Sequence, residues 1–365
     1  MKRLICLLIV SLSFAAIEFS GDARFRPRLD VKKYGVASAS NHTSDLYYLY
    51  RARINMKVDI GEGWFLSTKL GTNDIASMVK MSSHSTGGGI TSNGGNFNSF
   101  KPDVNFLELY YGYAKENSGL WVGTFPLKYT PALDLHFYSE DKLVDIPFVL
   151  YNNSSINGFA GYQMINDKKV NWFLSVDLNL TNIEEDFMTG NETIRKDTYT
   201  IGFNYSFDVL NFTLTPNVLV ALGEGNDLPK TFGLDIELPQ IQQSKLGSNI
   251  GETITGFFSS FSSSISYHML SISSDNLNYA DHFRIKITRP IIKGNMKFFY
   301  DIANMEDDSM SYMWLSYTHT CYKGDAGTVT ISPTYRYQDG GYVSGTFDED
   351  YNRTKFEITT EIKFF

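Results

Sequence analysis

After its first sixteen residues, this 365-residue chain has no long apolar run. That excludes a bundle of membrane-spanning helices, because each would need ~20 consecutive apolar residues. Cysteine is almost missing, with only Cys6 and Cys321 present. Cys6 falls inside the N-terminal apolar run and lacks the small residues that precede a lipidated cysteine, so one cysteine remains downstream and no intramolecular disulfide can form. Positive charge is in deficit: without Lys2 and Arg3, 30 Lys+Arg stand against 40 Asp+Glu, and 30 − 40 gives −10. An acidic chain of this kind is a poor partner for nucleic acid. The six histidines, His42, His84, His136, His268, His282 and His319, form no group of nucleophile, base and orienter and show no metal-ligand spacing. Catalysis, a metal and a cofactor are therefore not expected.

Met1-Lys2-Arg3, the apolar run Leu4 to Val10 and the small-residue ending at Ala15-Ala16 have the three parts of a secretory signal. Residues 1–16 are expected to be cleaved and residues 17–365 to form the mature domain. Aromatics are abundant, with 27 Phe, 23 Tyr and 4 Trp. An exported, aromatic chain without long apolar runs fits a membrane barrel of strands better than helices.

Strict alternation supports that fold class, all-β with a transmembrane antiparallel β-barrel. In 197–207, Tyr199, Ile201, Phe203, Tyr205 and Phe207 share one face and Thr200, Gly202, Asn204 and Ser206 the other. In 170–180, Trp172, Leu174 and Val176 oppose Phe173, Ser175 and Asp177, and in 281–289, Phe283, Ile285 and Ile287 oppose Arg284, Lys286 and Thr288. One face suits lipid and the other water. Sixteen such segments are predicted at 17–29, 46–60, 64–74, 103–114, 120–128, 157–165, 170–180, 197–207, 211–222, 230–238, 257–270, 281–289, 295–303, 310–320, 326–338 and 352–365. Short turns alternate with longer polar stretches at 30–45, 75–102, 129–156, 181–196, 223–229, 304–309 and 339–351. This is the turn-and-loop asymmetry of outer-membrane barrels. The stretch 239–256 carries no turn signal, so fourteen or eighteen strands stay open. The Gly-rich stretch 75–102 lacks the Lys-Ser or Lys-Thr of a phosphate loop.

The alternating segment 355–365, ending on Phe365, resembles the C-terminal strand read by the outer-membrane barrel assembly machinery, although its apolar face, Phe356, Ile358, Ile362 and Phe364, is one register off Phe365. Phe19 to Arg28 resembles the first strand of Gram-negative porins and of the related alginate-export-like channels. Asn105 to Tyr113 with Leu120 to Leu127 is similar to a hairpin of the same families. The resemblance implies a bacterial outer-membrane location and a water-filled channel for passive diffusion of small hydrophilic solutes or ions. It also implies contact with membrane lipid and the assembly machinery, a homotrimer, and a third external loop, 129–156, folded into the lumen. A selective sugar or oligosaccharide channel and a plugged adhesive barrel are the alternatives.

Arg24, Arg26 and Arg28 share one parity, as do Arg51, Arg53 and Lys57. A charge facing lipid at mid-bilayer costs about 2–4 kcal/mol, so these groups are expected in the lumen. Facing them, the 129–156 loop carries Asp134, Glu140, Asp141 and Asp145. Basic wall and acidic loop together are the expected pore constriction; the competing reading pairs the arginines with wall carboxylates such as Glu108 or Asp59. Trp64, Tyr113, Trp121, Trp172, Tyr199, Phe207, Phe212, Tyr312, Trp314 and Phe364 are expected in interfacial girdles, with sugar stacking the alternative for inward rings such as Phe173 or Phe299.

Overall fold

The computed structural model describes residues 16–35, 42–72, 78–80, 104–126, 155–178, 183–185, 192–194, 198–223, 230–238, 262–271, 280–291, 294–305, 308–343 and 346–365, and the structural statements below concern these. The expected signal peptide up to Ala15 and the expected inward loop up to Ser154 lie outside them.

Strands run in chain order as β1 (Ala16–Lys33), β2 (His42–Gly61), β3 (Trp64–Thr72, continued by Val79–Lys80), β4 (Val104–Ala114), β5 (Ser118–Pro126), β6 (Ser155–Ile165), β7 (Lys168–Leu178) and β8 (Thr198–Tyr205, continued by Phe207–Val209). They continue as β9 (Phe212–Leu222), β10 (Lys230–Glu237), β11 (Ser262–Ser271), β12 (Ala280–Ile291), β13 (Gly294–Met305), β14 (Asp308–Gly324), β15 (Gly327–Val343) and β16 (Thr346–Phe364). Ile183–Glu185 and Glu192–Ile194 form a separate small hairpin. Every strand pairs antiparallel with its neighbours, and β16 pairs with both β15 and β1, with Arg28 opposite Glu357 and Asp30 opposite Lys355. The sheet is therefore a closed barrel of sixteen strands, and closure removes the exposed edges that an open sheet would present.

Chemistry at the short turns matches their geometry. Asn166 and Asp167 both hold positive φ, 49° and 60°, in the two-residue connection from Ile165 to Lys168. A primed hairpin turn requires that pair of signs, and Asn and Asp tolerate it best after Gly. At the opposite end of the barrel, the expected loops 304–309 and 339–351 are replaced by strand pairing: β13 turns into β14 between Met305 and Asp308, and β15 into β16 between Val343 and Thr346. Strands of 17 to 19 residues outrun the membrane. Beyond it, water solvates both faces and no apolar alternation is needed. The stretch 239–256 lies outside the described residues, yet β10 and β11 pair directly, from Lys230 with Ser271 to Glu237 with Ser264. Sixteen, and neither fourteen nor eighteen, is the count.

The faces divide as the alternation requires. Ile201 and Phe203 are exposed on the outside, whereas Thr200 and Asn204 are buried on the inside. Ile54, Phe159, Leu315, Phe356, Ile358 and Ile362 extend the apolar outer surface around the barrel. An apolar exterior around a polar interior inverts the pattern of a water-soluble protein and suits a lipid solvent. Phe203→Arg places a charge on that exterior near the middle of β8. It is expected to cost about 2–4 kcal/mol in urea unfolding of the lipid-embedded barrel, and a loss near zero would place Phe203 away from the hydrocarbon.

Candidate functional site

The inner wall of β15, β16, β1 and β2 is where charge concentrates. In 22–30, 47–53, 332–338 and 353–361, every charged side chain lies on the inner parity. The basic ones are Arg24, Arg26, Arg28, Arg51, Arg53, Arg336, Arg353 and Lys355, and the acidic ones are Asp22, Asp30, Glu357 and Glu361. Eight bases against four acids leave an excess of four positive charges within these four segments.

The carboxylates are shared among the bases. Asp22 Oδ1 accepts from Arg51 Nη2 at 2.9 Å, Asp22 Oδ2 accepts from Arg53 Nε at 2.7 Å, and Arg24 approaches Asp22 within 3.7 Å. Glu361 accepts from Arg24 at 2.6 Å. Glu357, whose side chain has no exposed surface, lies 3.1 Å from Arg26, 3.0 Å from Arg28 and 2.5 Å from Arg336. Tyr47 Oη accepts from Arg28 at 3.2 Å and donates to Asp30 at 3.3 Å, and Asp30 in turn accepts from Arg353 Nε at 2.6 Å. Such multiply shared, charge-assisted bonds fix long side chains against one another. Arg24 and Arg53, at 25% and 17%, are the most exposed of the basic members, while Arg28, Arg336, Arg353 and Lys355 are buried.

Beside this arc, β12 to β14 carry Asp301, which accepts from Arg284 Nε at 2.5 Å and touches His282 Nε2 at 3.2 Å. Across the ring, β4 to β9 present a different surface. Phe125, Ile156, Ala160, Phe173 and Leu219 are buried together, with Tyr110 and Trp121 packed against them. They flank a recess of about 320 Å³. Phe173 lies over Gly202, where a Cβ would collide with its ring.

No protein-family model and no curated protein sequence matches the chain. Solved structures do. The anion-selective porin from Comamonas acidovorans superposes with a TM-score of 0.59 at 11% identity, covering 96% of this chain and 100% of that one. A triple mutant of the Rhodopseudomonas blastica porin gives 0.52 at 11% identity over 96% and 100%. A loop-deletion variant of OmpT, an outer membrane protein of Vibrio cholerae, gives 0.50 at 8% identity over 95% and 99%. The fold is that of the bacterial porins.

On this porin fold, Arg24, Arg26, Arg28, Arg51 and Arg53 lie together on the inner wall. Lys57 does not join them: it is exposed, stands opposite Glu18 and lines the apolar recess. Asp134, Glu140, Asp141 and Asp145 lie outside the described residues. The competing reading, arginines paired with wall carboxylates, describes their contacts in kind but with other partners: Glu108 pairs with Lys69, and Asp59 accepts from Gly61 N in its own turn, while Asp22, Glu357 and Glu361 take the arginines. A signal for them exists in the alternation of Arg353, Lys355, Glu357, Thr359 and Glu361 on the last strand.

Three girdle assignments are corrected too. Tyr312, Trp314 and Trp121 share the inner parity with Ser316, Thr318 and Phe125. Trp64 and Tyr113 do sit together near a strand end, ring centroids 5.5 Å apart. Phe173 and Phe299 both turn inward, but the ring of Phe299 is stacked on Trp314 and approached by Arg284 and Lys297.

Proposed function

We propose that the chain is an outer-membrane porin of a Gram-negative bacterium, forming a water-filled channel for passive diffusion of small hydrophilic solutes with a preference for anions. The observation that carries this reading is the excess of four positive charges on the inner arc of a closed barrel. Fixed charge on a pore wall sets which ions concentrate there. The porin fold favours transport over catalysis, and the name of the Comamonas neighbour, an anion-selective porin, supports the sign of the preference. Proteoliposomes containing the purified protein should swell in small sugars and amino acids at rates that fall with solute size; vesicles that do not swell would overturn the channel.

The narrowing is proposed to come from residues 129–156, entering between the end of β5 at Pro126 and the start of β6 at Ser155. Support comes from the apolar recess beside those two ends, where Tyr110, Trp121, Phe125 and Phe173 give the inner side of the wall an apolar lining. Leu133, Phe137 and Phe148 supply matching apolar groups. In this reading Asp134, Glu140, Asp141 and Asp145, with Lys142 among them, face the arginines across the pore and offset part, but not all, of the positive excess on the wall. In a Cys321→Ser background, Phe137→Cys with Phe173→Cys should form a disulfide under mild oxidation and lower the conductance. Ready labelling of Phe137→Cys on intact cells by a membrane-impermeant thiol reagent, with no disulfide, would place the loop outside.

A further inference from the structure

We propose that the inner wall also holds a saturable subsite for small oxyanions, carboxylate or phosphate, in a cleft between β1, β2 and β13 to β16. The inference rests on the channel reading above and adds a bound solute class to it. The cleft encloses about 250 Å³. Its charged lining is Arg24, Arg26, Arg51, Arg336 and Lys297, with Glu361 as the carboxylate. Hydroxyls of Ser316, Thr318, Ser332, Thr334 and Thr359, from three adjacent strands, complete the wall.

A diffuse positive field attracts chloride as well as any other anion. A confined space with guanidinium forks and hydroxyls is matched instead to a solute that presents several oxygens at once. Paired N–H groups bind two of those oxygens in parallel. Arg24 and Arg26 are the more exposed members, at 25% and 12%, with Arg51 and Arg336 behind them at 3% and 4%; Arg24 already donates to Glu361 and Arg26 to Thr359, so a bound oxyanion shares these donors with them.

An aromatic pair holds the donors in place. Phe299 and Trp314 stack with centroids 5.3 Å apart and planes 25° from parallel. The guanidinium of Arg336 lies 3.8 Å from the Trp314 ring centre, and Lys297 Nζ lies 5.2 Å from that of Phe299. The ring quadrupoles attract these cations and restrict their rotamers before a solute arrives, which lowers the ordering cost of binding. Trp314 is thus a positioning residue. The ring faces are taken up by one another and by cations, so the cleft offers charge and hydroxyls rather than a stacking platform for a sugar.

The test is chloride current through the purified protein in planar bilayers, titrated separately with succinate and with inorganic phosphate. The current should fall and saturate with at least one of them; block by succinate alone assigns the carboxylate, and block by phosphate alone assigns the phosphate. Trp314→Leu should weaken the half-blocking concentration about tenfold, and Trp314→Phe should restore most of it, since loss of one charge-assisted contact is of that order. Should Trp314→Leu fail to assemble, the titration of the unaltered protein decides alone. A steady chloride current unaffected by either anion overturns the subsite and leaves the channel standing. Absence of any current overturns both.

Discussion

Replacing Arg51 and Arg53 together with Ser moves the ion preference of the pore toward cations and raises its conductance. Both guanidiniums bind Asp22, which Arg24 also approaches, so this group passes from three bases and one acid to one base and one acid. Over the four wall segments the excess falls from four charges to two. The anion-to-cation permeability ratio should therefore fall, because fixed wall charge sets the ion concentrations in the lumen. Removing two long side chains also opens cross-section. Arg51→Ser alone should do less, since Arg53 still holds Asp22 in place. Planar-bilayer currents in a salt gradient read both quantities. Unchanged conductance and preference in the double variant would mean that the arginines line no constriction.

The largest effect on stability is expected at Glu357, which joins the last strand to the first. Its carboxylate meets Arg26 and Arg28 across the closing seam and Arg336 on the other side, and its side chain has no exposed surface. Glu357→Gln keeps the shape and removes the charge, leaving three neighbouring guanidiniums without their common counter-ion. Removing one partner from a buried ionic cluster costs about 3–5 kcal/mol, far more than the ~1 kcal/mol of an exposed pair. The variant should therefore lose its folded mobility on unboiled gels at a lower temperature and unfold at lower urea. A loss within ~1 kcal/mol would show that water already screens the cluster.

Much of this architecture is written in local alternation. Tyr199 to Phe207 announces both faces of β8, and the arginines at 24, 26, 28, 51 and 53 announce a charged lumen because lipid would not accept them. The partners of those arginines were beyond local reading. Glu357 lies 329 residues from Arg28, and only closure of the barrel brings them together. Where both parities are apolar, alternation loses its meaning: Tyr312 and Trp314 interleave with Met313 and Leu315, and Trp121 with Leu120 and Val122. Inward aromatics there look the same as a girdle. The ends of β15 and β16 misled for the opposite reason. Residues such as Asp339, Asp348 and Asp350 are polar whichever way they point, so a strand standing in water looks like a loop.

The central claim is that the basic arc lines an open, anion-preferring pore. It is tested most directly by the zero-current potential of single channels of the unaltered protein under a potassium chloride gradient. Discrete current steps with a potential displaced toward the chloride equilibrium value are expected. Displacement toward the potassium value, or a bilayer that stays silent, would contradict the account.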